Sequence, residues 1–128
     1  MNISGEQPLT YLTDIHKKVS KRIERLGISV RDEVPFPPYT ADIYLDEYHA
    51  VVEIDGPHHS ETKDTLRDQR LWEEYRLYVL RIDIGEAKKA SHVKKIVIEF
   101  VGEVEELDLK TGTCYVRVAH AKENGWQG

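Results

Sequence analysis

The chain has 128 residues, of which 40% are hydrophobic and 32% are charged, with two Trp, seven Tyr and two Phe. This length and apolar content suit one domain with one core, so we exclude a linker or a disordered chain and assign residues 1–128 to a single domain. No apolar run approaches the roughly 18 residues of a membrane span, and the first residues lack a secretory apolar region. We therefore expect a cytoplasmic protein with no membrane partner.

Cysteine content and net charge bear on two further classes of protein. The single cysteine, Cys114, cannot form an internal disulfide and cannot alone build a thiolate metal site. The 18 Lys and Arg against 23 Asp and Glu give a net charge of -5. Taken alone, this net charge argues against a generic basic clamp for nucleic acid.

The first half of the chain predicts one helix followed by three strands. Residues 9–26 show the three- and four-residue apolar spacing of an amphipathic helix, and Gly27 stands where such a helix commonly ends. Extended runs follow at 28–36, 40–45 and 50–54, separated by a proline-rich break and a short turn. We predict that these three strands form a meander.

The second half predicts alternating helices and strands. Ser60 is a suitable N-cap for a helix that ends near residue 75, and a strand is expected at 77–82. A further helix at 91–104 precedes a weaker strand at 113–119. This order predicts an α/β fold with a mixed central sheet flanked by helices, with a core at about 9–104 and an extension at 105–128.

Acidic residues interrupt the most apolar strand. Side chains alternate along a strand, so Glu53 and Asp55 share one face, and a hairpin would bring Asp42 close to Glu53. Unpaired carboxylates on an apolar strand cost several kcal/mol unless they bind a cation or a partner. We therefore predict that Asp42, Glu53 and Asp55 bind Mg²⁺, with Mn²⁺ able to substitute. The alternative is that solvent, Arg67 and Arg81 satisfy them.

The helix that follows carries two more aspartates on one face. Asp64 and Asp68 share this face with Leu71 and Tyr75, which should point to the sheet and bring the aspartates toward His58 and His59. A carboxylate that orients a histidine is the usual arrangement for a general base, and a metal-activated water beside it describes phosphodiester hydrolysis. The alternatives are that the aspartates favour the helix N-terminus and that His59 only packs in a turn.

These motifs together resemble those of the PD-(D/E)XK nuclease superfamily, and within it the branch of very-short-patch repair endonucleases. The resemblance covers residues 9–85 and rests on Asp42, Glu53-Ile54-Asp55-Gly56-x-x-His59, Asp64-x-x-Arg67-Asp68-x-x-Leu71 and Val79-Leu80-Arg81. It implies a restriction-endonuclease-like αβββαβ core, here followed by a C-terminal helix and a short extra strand. It also implies a Mg²⁺-dependent endonuclease that nicks one DNA strand per active site.

Carried over residue by residue, the resemblance makes Asp42 and Glu53 the metal-binding acids. Where the superfamily typically has a lysine, this chain has Asp55. The repair-endonuclease branch also lacks this lysine and uses a downstream histidine as the base, which corresponds to His59. Lys63 is the alternative, as a relocated lysine.

A second resemblance keeps a binding function open. Tyr44-Leu45-x-x-Tyr48 and Glu53-Ile54-Asp55-Gly56-Pro57-x-His59 are also similar to RAP domains, which are RNA-associated modules of the same fold. This resemblance implies a catalytically silent domain that binds RNA or DNA.

Basic residues concentrate on the first helix despite the acidic balance. We name as candidate nucleic-acid contacts Lys17, Lys18, Lys21, Arg22, Arg25 and Arg67. A solvated helix face, and a structural ion pair for Arg67, are the alternatives. The remaining histidines receive no role: His16, His49, His92 and His120. Both a monomer and a homodimer remain open.

Overall fold

The computed structural model contains one sheet packed between helices. It describes residues 7–56, 61–110 and 118–121. In chain order the elements are α1 (Gln7–Glu24), β1 (Val30–Phe36), β2 (Tyr39–Leu45), β3 (Ala50–Asp55), α2 (Glu61–Tyr75), β4 (Tyr78–Asp83), α3 (Ile84–Ala87), α4 (Ala90–Lys110) and β5 (Val118–Ala121).

The strands form a mixed sheet in the order β1-β2-β3-β4-β5. The first three strands are antiparallel neighbours, whereas β3 pairs with β4, and β4 with β5, in parallel. Parallel neighbours need a crossover connection, and α2 provides it between β3 and β4. The predicted α/β class with a mixed sheet flanked by helices, and the predicted meander, are confirmed.

The two faces of the sheet are covered by different helices. Alternate residues of the central strands, such as Val52 and Leu80, pack with buried side chains of α1 and α4. The other face, which includes Val51 and Val79, packs with Leu71 of α2. Because side chains alternate along a strand, Ala50, Val52 and Ile54 of β3 lie on the first face, whereas Val51, Glu53 and Asp55 lie on the face beneath α2.

Several element boundaries differ from the predictions. The first helix ends at Glu24 and a turn leads to Gly27, whose φ is 87°, a conformation that favours glycine. The short helix α3 was not predicted, since four residues are too few for a periodic signal. It begins where the Asp83 side chain accepts a hydrogen bond from the Gly85 N–H, at 3.0 Å.

The C-terminal elements also differ from the predictions. Helix α4 continues to Lys110, beyond the predicted end at residue 104, and β5 at Val118–Ala121 overlaps the predicted last strand at residues 118 and 119. Residues 113–117 of that prediction lie outside the described residues. Within the described part of the chain, no helix is both long and apolar enough to cross a membrane.

Candidate functional site

Two carboxylates lie side by side where β2 and β3 separate. Backbone pairing of these strands runs from Leu45 opposite Ala50 to Ile43 opposite Val52. Beyond that point the Asp42 N–H donates to Glu53 Oε2 at 2.8 Å, and the Ile54 N–H donates to Asp42 Oδ2 at 3.0 Å. The side chains thus accept hydrogen bonds from backbone groups that need a partner, and this holds both carboxylates in place.

The environment of Glu53 differs sharply from that of Asp42. The Glu53 side chain is only 5% exposed, and its Oε1 lies 2.6 Å from Arg67 Nη2. Burial and the neighbouring charge of Asp42 raise the pKa of Glu53 to about 7, although Arg67 acts in the opposite direction. A cation bound between the two carboxylates would relieve their repulsion, which is the electrostatic condition of a metal site.

His16 approaches the same pair from α1. Its Nε2 lies 3.6 Å from Asp42 Oδ2, and both side chains are about one-quarter exposed. A cavity of about 240 Å³ is lined by His16, Lys17, Asp32, Glu33 and Asp42. An imidazole beside an acid in an open cavity is suited to accept a proton.

Sequence reasoning assigned no role to His16. The contact joins α1 to β2, and no short spacing in the sequence connects these two residues. One sequence signal could have indicated that His16 faces the interior, namely its place in the amphipathic repeat beside Ile15 and one turn before Val19 and Ser20. The structure confirms that these three neighbours are buried.

The other predicted acids gather around Arg81 on β4. The Arg81 guanidinium donates from Nε and Nη2 to both oxygens of Asp68, at 2.8 Å each, and from Nη1 to Asp55 Oδ1 at 2.6 Å. Asp64 Oδ1 lies 3.5 Å from Nη1. Arg81 stands opposite Glu53 in the parallel register, so this cluster adjoins the first pair.

Arg81 therefore changes what Asp55 and Asp68 can do. Both oxygens of Asp68 accept hydrogen bonds from one guanidinium, which fastens α2 to β4. Asp55 gives one oxygen to the same group. Burial disfavours the charged guanidinium, but Asp68, Asp55 and Asp64 together raise the pKa of Arg81, so its guanidinium stays positively charged.

The predicted site residues thus fall into two adjacent groups. Asp42 and Glu53 form the first, and Asp55, Asp64 and Asp68 form the second. His59, the predicted base, and its neighbour His58 lie outside the described residues. In the part of the chain that the structure describes, no three His, Cys, Asp or Glu residues are placed to hold a metal ion together.

The predicted basic contacts also divide into two kinds. Four side chains on α1 or in the turn after it are exposed to solvent: Lys17, Lys18, Lys21 and Arg25. Arg22 instead donates from Nη1 to the Ala87 carbonyl at 3.0 Å, which ties α1 to α3. Arg67 is committed to Glu53, and it also donates to the Thr40 carbonyl at 2.9 Å.

Comparison with models of known protein families and with curated proteins finds no match to this sequence.

Proposed function

We propose that this protein is a Mg²⁺-dependent nuclease that hydrolyses phosphodiester bonds in DNA. The observation that carries the proposal is the pair of Asp42 and Glu53, held by backbone hydrogen bonds where two strands separate. Mg²⁺ keeps several of its waters and commonly takes only one or two protein carboxylates, so this pair fits the ion. Mn²⁺ accepts the same oxygen ligands and should substitute.

The arrangement of elements supports the proposal. The order α1, β1, β2, β3, α2, β4, with β3 and β4 parallel, agrees with the restriction-endonuclease-like core that the motif resemblance implies. In that core the acids of the first two motifs lie on neighbouring strands, as Asp42 and Glu53 do here. The finer assignment, to the very-short-patch repair branch of the PD-(D/E)XK superfamily, rests on the sequence motifs alone.

In the proposed reaction, Asp42 and Glu53 would hold the ion, with Glu53 in its deprotonated form. Mg²⁺, when bound, supplies Lewis-acid activation of the attacking water and of the phosphodiester. An imidazole accepts the proton that the water loses, and the departing strand oxygen is protonated by solvent. The motif resemblance assigns the imidazole to His59, whereas His16 is the imidazole next to Asp42 among the described residues.

One observation favours a second function, a catalytically silent domain that binds RNA or DNA. Asp55 occupies the position where the superfamily typically has a lysine, and Asp55 is bound to Arg81. A carboxylate locked in an ion pair does not supply the positive charge that a lysine would bring to the phosphate. The missing lysine is therefore also compatible with a silent domain similar to RAP domains.

Plasmid cleavage tests the first function against the second. Purified protein is incubated with supercoiled plasmid and with single-stranded DNA in Mg²⁺, in Mn²⁺ and in EDTA. The variants are Asp42→Asn and Glu53→Gln, and the matched control is Asp46→Asn, a carboxylate in the hairpin turn that pairs with Arg31. We expect the parent protein to nick the plasmid only in the presence of a divalent ion. Both site variants should lower the nicking rate by at least about 100-fold, and the control variant should keep the parent rate.

Two results would overturn the nuclease proposal. One is the absence of cleavage of every DNA form by folded protein in either ion. The other is unchanged activity in Asp42→Asn. RNA or DNA binding that survives EDTA and Glu53→Gln, without cleavage, would instead support the silent binding domain.

A further inference from the structure

A second concave site lies beside the carboxylate pair, between α2 and Tyr39 of β2. Its volume is about 490 Å³, and its lining residues are Tyr39, Lys63, Asp64, Leu66, Arg67 and Arg70. Three of these side chains are cationic and one is acidic. In a chain with a net charge of -5, this is a local reversal of sign.

Arg67 forms the wall that this pocket shares with the carboxylate pair. Its guanidinium contacts Glu53 and the Thr40 carbonyl, and it lies over the Tyr39 ring with 5.0 Å between the guanidinium carbon and the ring centroid. Three fixed partners leave this side chain little freedom. Arg67 is therefore held in a fixed position between the pocket and the carboxylate pair.

The outer part of the pocket carries cations on both sides of an apolar side chain. Lys63, Leu66 and Arg70 follow one another at three- and four-residue steps, so they lie along one face of α2. Leu66 is 57% exposed, so its apolar side chain is open to contact with a ligand. Arg70 pairs with Glu74 at 3.2 Å, but both side chains are about half exposed, so a stronger anion can replace this partner.

This combination of groups suits a nucleotide unit better than an acidic peptide. Two cations that flank an apolar side chain match a strand in which phosphates alternate with sugars and bases. The shared wall at Arg67 also places the pocket next to the carboxylates where a phosphodiester would be cleaved. A strand that reaches Glu53 can therefore continue across α2.

We propose that this pocket binds the nucleic-acid strand next to the cleaved phosphodiester. Lys63 and Arg70 contact its phosphate, and Leu66 packs against the adjoining sugar or base. The position of the strand relative to Glu53 rests on the proposed nuclease function, whereas phosphate binding by the pocket does not.

Binding without catalysis tests the pocket. Fluorescence anisotropy in EDTA measures the affinity for a labelled DNA duplex and for its single strand over a range of salt concentrations. The double variant Lys63→Ala/Arg70→Ala is compared with Lys94→Ala/Lys95→Ala, which removes the same charge from exposed positions of α4. We expect the pocket variant to bind more weakly and to lower the logarithmic salt slope by about 1 to 2, and the α4 variant to leave both nearly unchanged.

A local readout accompanies the affinities. Amide shifts in a two-dimensional NMR spectrum are followed while the 5′-phosphorylated dinucleotide pTpT is added to metal-free protein. We expect the shifts to concentrate in residues 63–70. Shifts scattered over the surface, or hexaglutamate competing as well as pTpT, would overturn the assignment to a nucleic-acid strand.

The two proposals fail separately. If the parent protein cleaves DNA but both double variants bind alike, the pocket proposal is wrong and the nuclease proposal stands. If the parent protein cleaves nothing but pTpT shifts residues 63–70 and the pocket variant loses affinity, the nuclease proposal is wrong and the pocket stands.

Discussion

The guanidinium of Arg81 lies among three carboxylates and is almost removed from water, with its side chain only 4% exposed. Its five donors match the fork geometry that binds a carboxylate through two parallel hydrogen bonds, and Asp68 accepts in that way. Removal of one partner from such a cluster leaves the others charged and buried. Such uncompensated burial costs more than the loss of an exposed pair.

We predict that Arg81→Met destabilises the fold by about 3 to 5 kcal/mol, since Asp55 and Asp68 would then lack their counter-ion. Urea unfolding followed by circular dichroism measures the change. The control is Arg31→Met, because Arg31 pairs with Asp46 while its side chain is 61% exposed. That change should be much smaller. Equal effects of the two variants would show that the cluster does not stabilise the fold.

The raised pKa of Glu53 predicts an unusual dependence of the stability of the fold on pH. Its pKa in the folded protein is raised to about 7 from an ordinary value of 4.5, so the folded state binds this proton more tightly than the unfolded state does. Protonated Glu53 therefore makes its full contribution to the free energy of unfolding below about pH 4.5, and this contribution is lost as the pH rises to about 7. Above pH 7 no further change is expected from this group.

The comparison with Glu53→Gln isolates this effect. The free energy of unfolding of the parent protein minus that of the variant should fall by up to about 3 kcal/mol between pH 4.5 and 7, at 1.36 kcal/mol per pKa unit. Urea unfolding in EDTA across this range measures it. The control Glu73→Gln, on the exposed face of α2, should give a difference that does not vary with pH. A difference that rises with pH for Glu53→Gln would mean that Arg67 dominates its environment.

At the scale of elements, α2 is fastened across the polar face of the sheet at three points. Arg81 binds Asp68, Arg67 binds Glu53, and the Tyr75 hydroxyl donates to the Pro37 carbonyl at 2.5 Å. Apolar packing of Leu71 lies between these polar contacts. The helix therefore keeps a fixed position over the carboxylates, which is what a preformed site requires.

Replacement of two glycines by alanine should change the stability of the fold in opposite directions. Gly27 follows α1 with a φ of 87°, and a Cβ there would meet nothing within 4 Å, so Gly27→Ala should cost about 1 to 2 kcal/mol through backbone strain alone. Gly102 lies inside α4 with equally open space, so Gly102→Ala should stabilise by roughly 0.5 to 1 kcal/mol. Thermal unfolding of both variants measures the signs. A change of the melting temperature in the same direction for both variants would contradict these two expectations.

At the scale of the whole molecule, the distribution of charge matters more than the net value of -5. Acidic side chains converge beneath α2, whereas basic side chains line the outside of α1 and the pocket on α2. An acidic molecule can therefore present basic surface to a polyanion.

This distribution predicts DNA binding that is weak without a divalent ion and that falls steeply with salt. In EDTA, the affinity for a labelled duplex should drop at least about tenfold between roughly 50 and 200 mM salt, since counterions are released at each phosphate contact. Addition of Ca²⁺, another hard cation with oxygen ligands, should raise the affinity by bridging the carboxylates and the phosphate. Fluorescence anisotropy measures both effects. Affinity that is insensitive to salt would show that the basic surfaces do not contact DNA.

Local sequence patterns were sufficient to predict much of the fold and one part of the candidate site, the pair of Asp42 and Glu53. The meander and the α/β order follow from apolar periodicity and turn residues, which relate positions close together in the chain. The contact of Asp42 with Glu53 follows in the same way, because one hairpin separates them. The boundaries of α4 and β5, and the existence of α3, were beyond such patterns.

The sequence by itself determined which acids lie on which face of β3, because that face is set by strand alternation. The sequence also named Arg67 and Arg81 as possible partners of the acids. Only the tertiary structure decided the pairing: Arg81 binds Asp55 of β3 and Asp68 of α2, Arg67 binds Glu53, and His16 approaches Asp42 of β2. The physical reason is that several carboxylates compete for a few cations. The outcome depends on the register of β4 against β3 and on the position of α2, both of which are set by packing between distant parts of the chain.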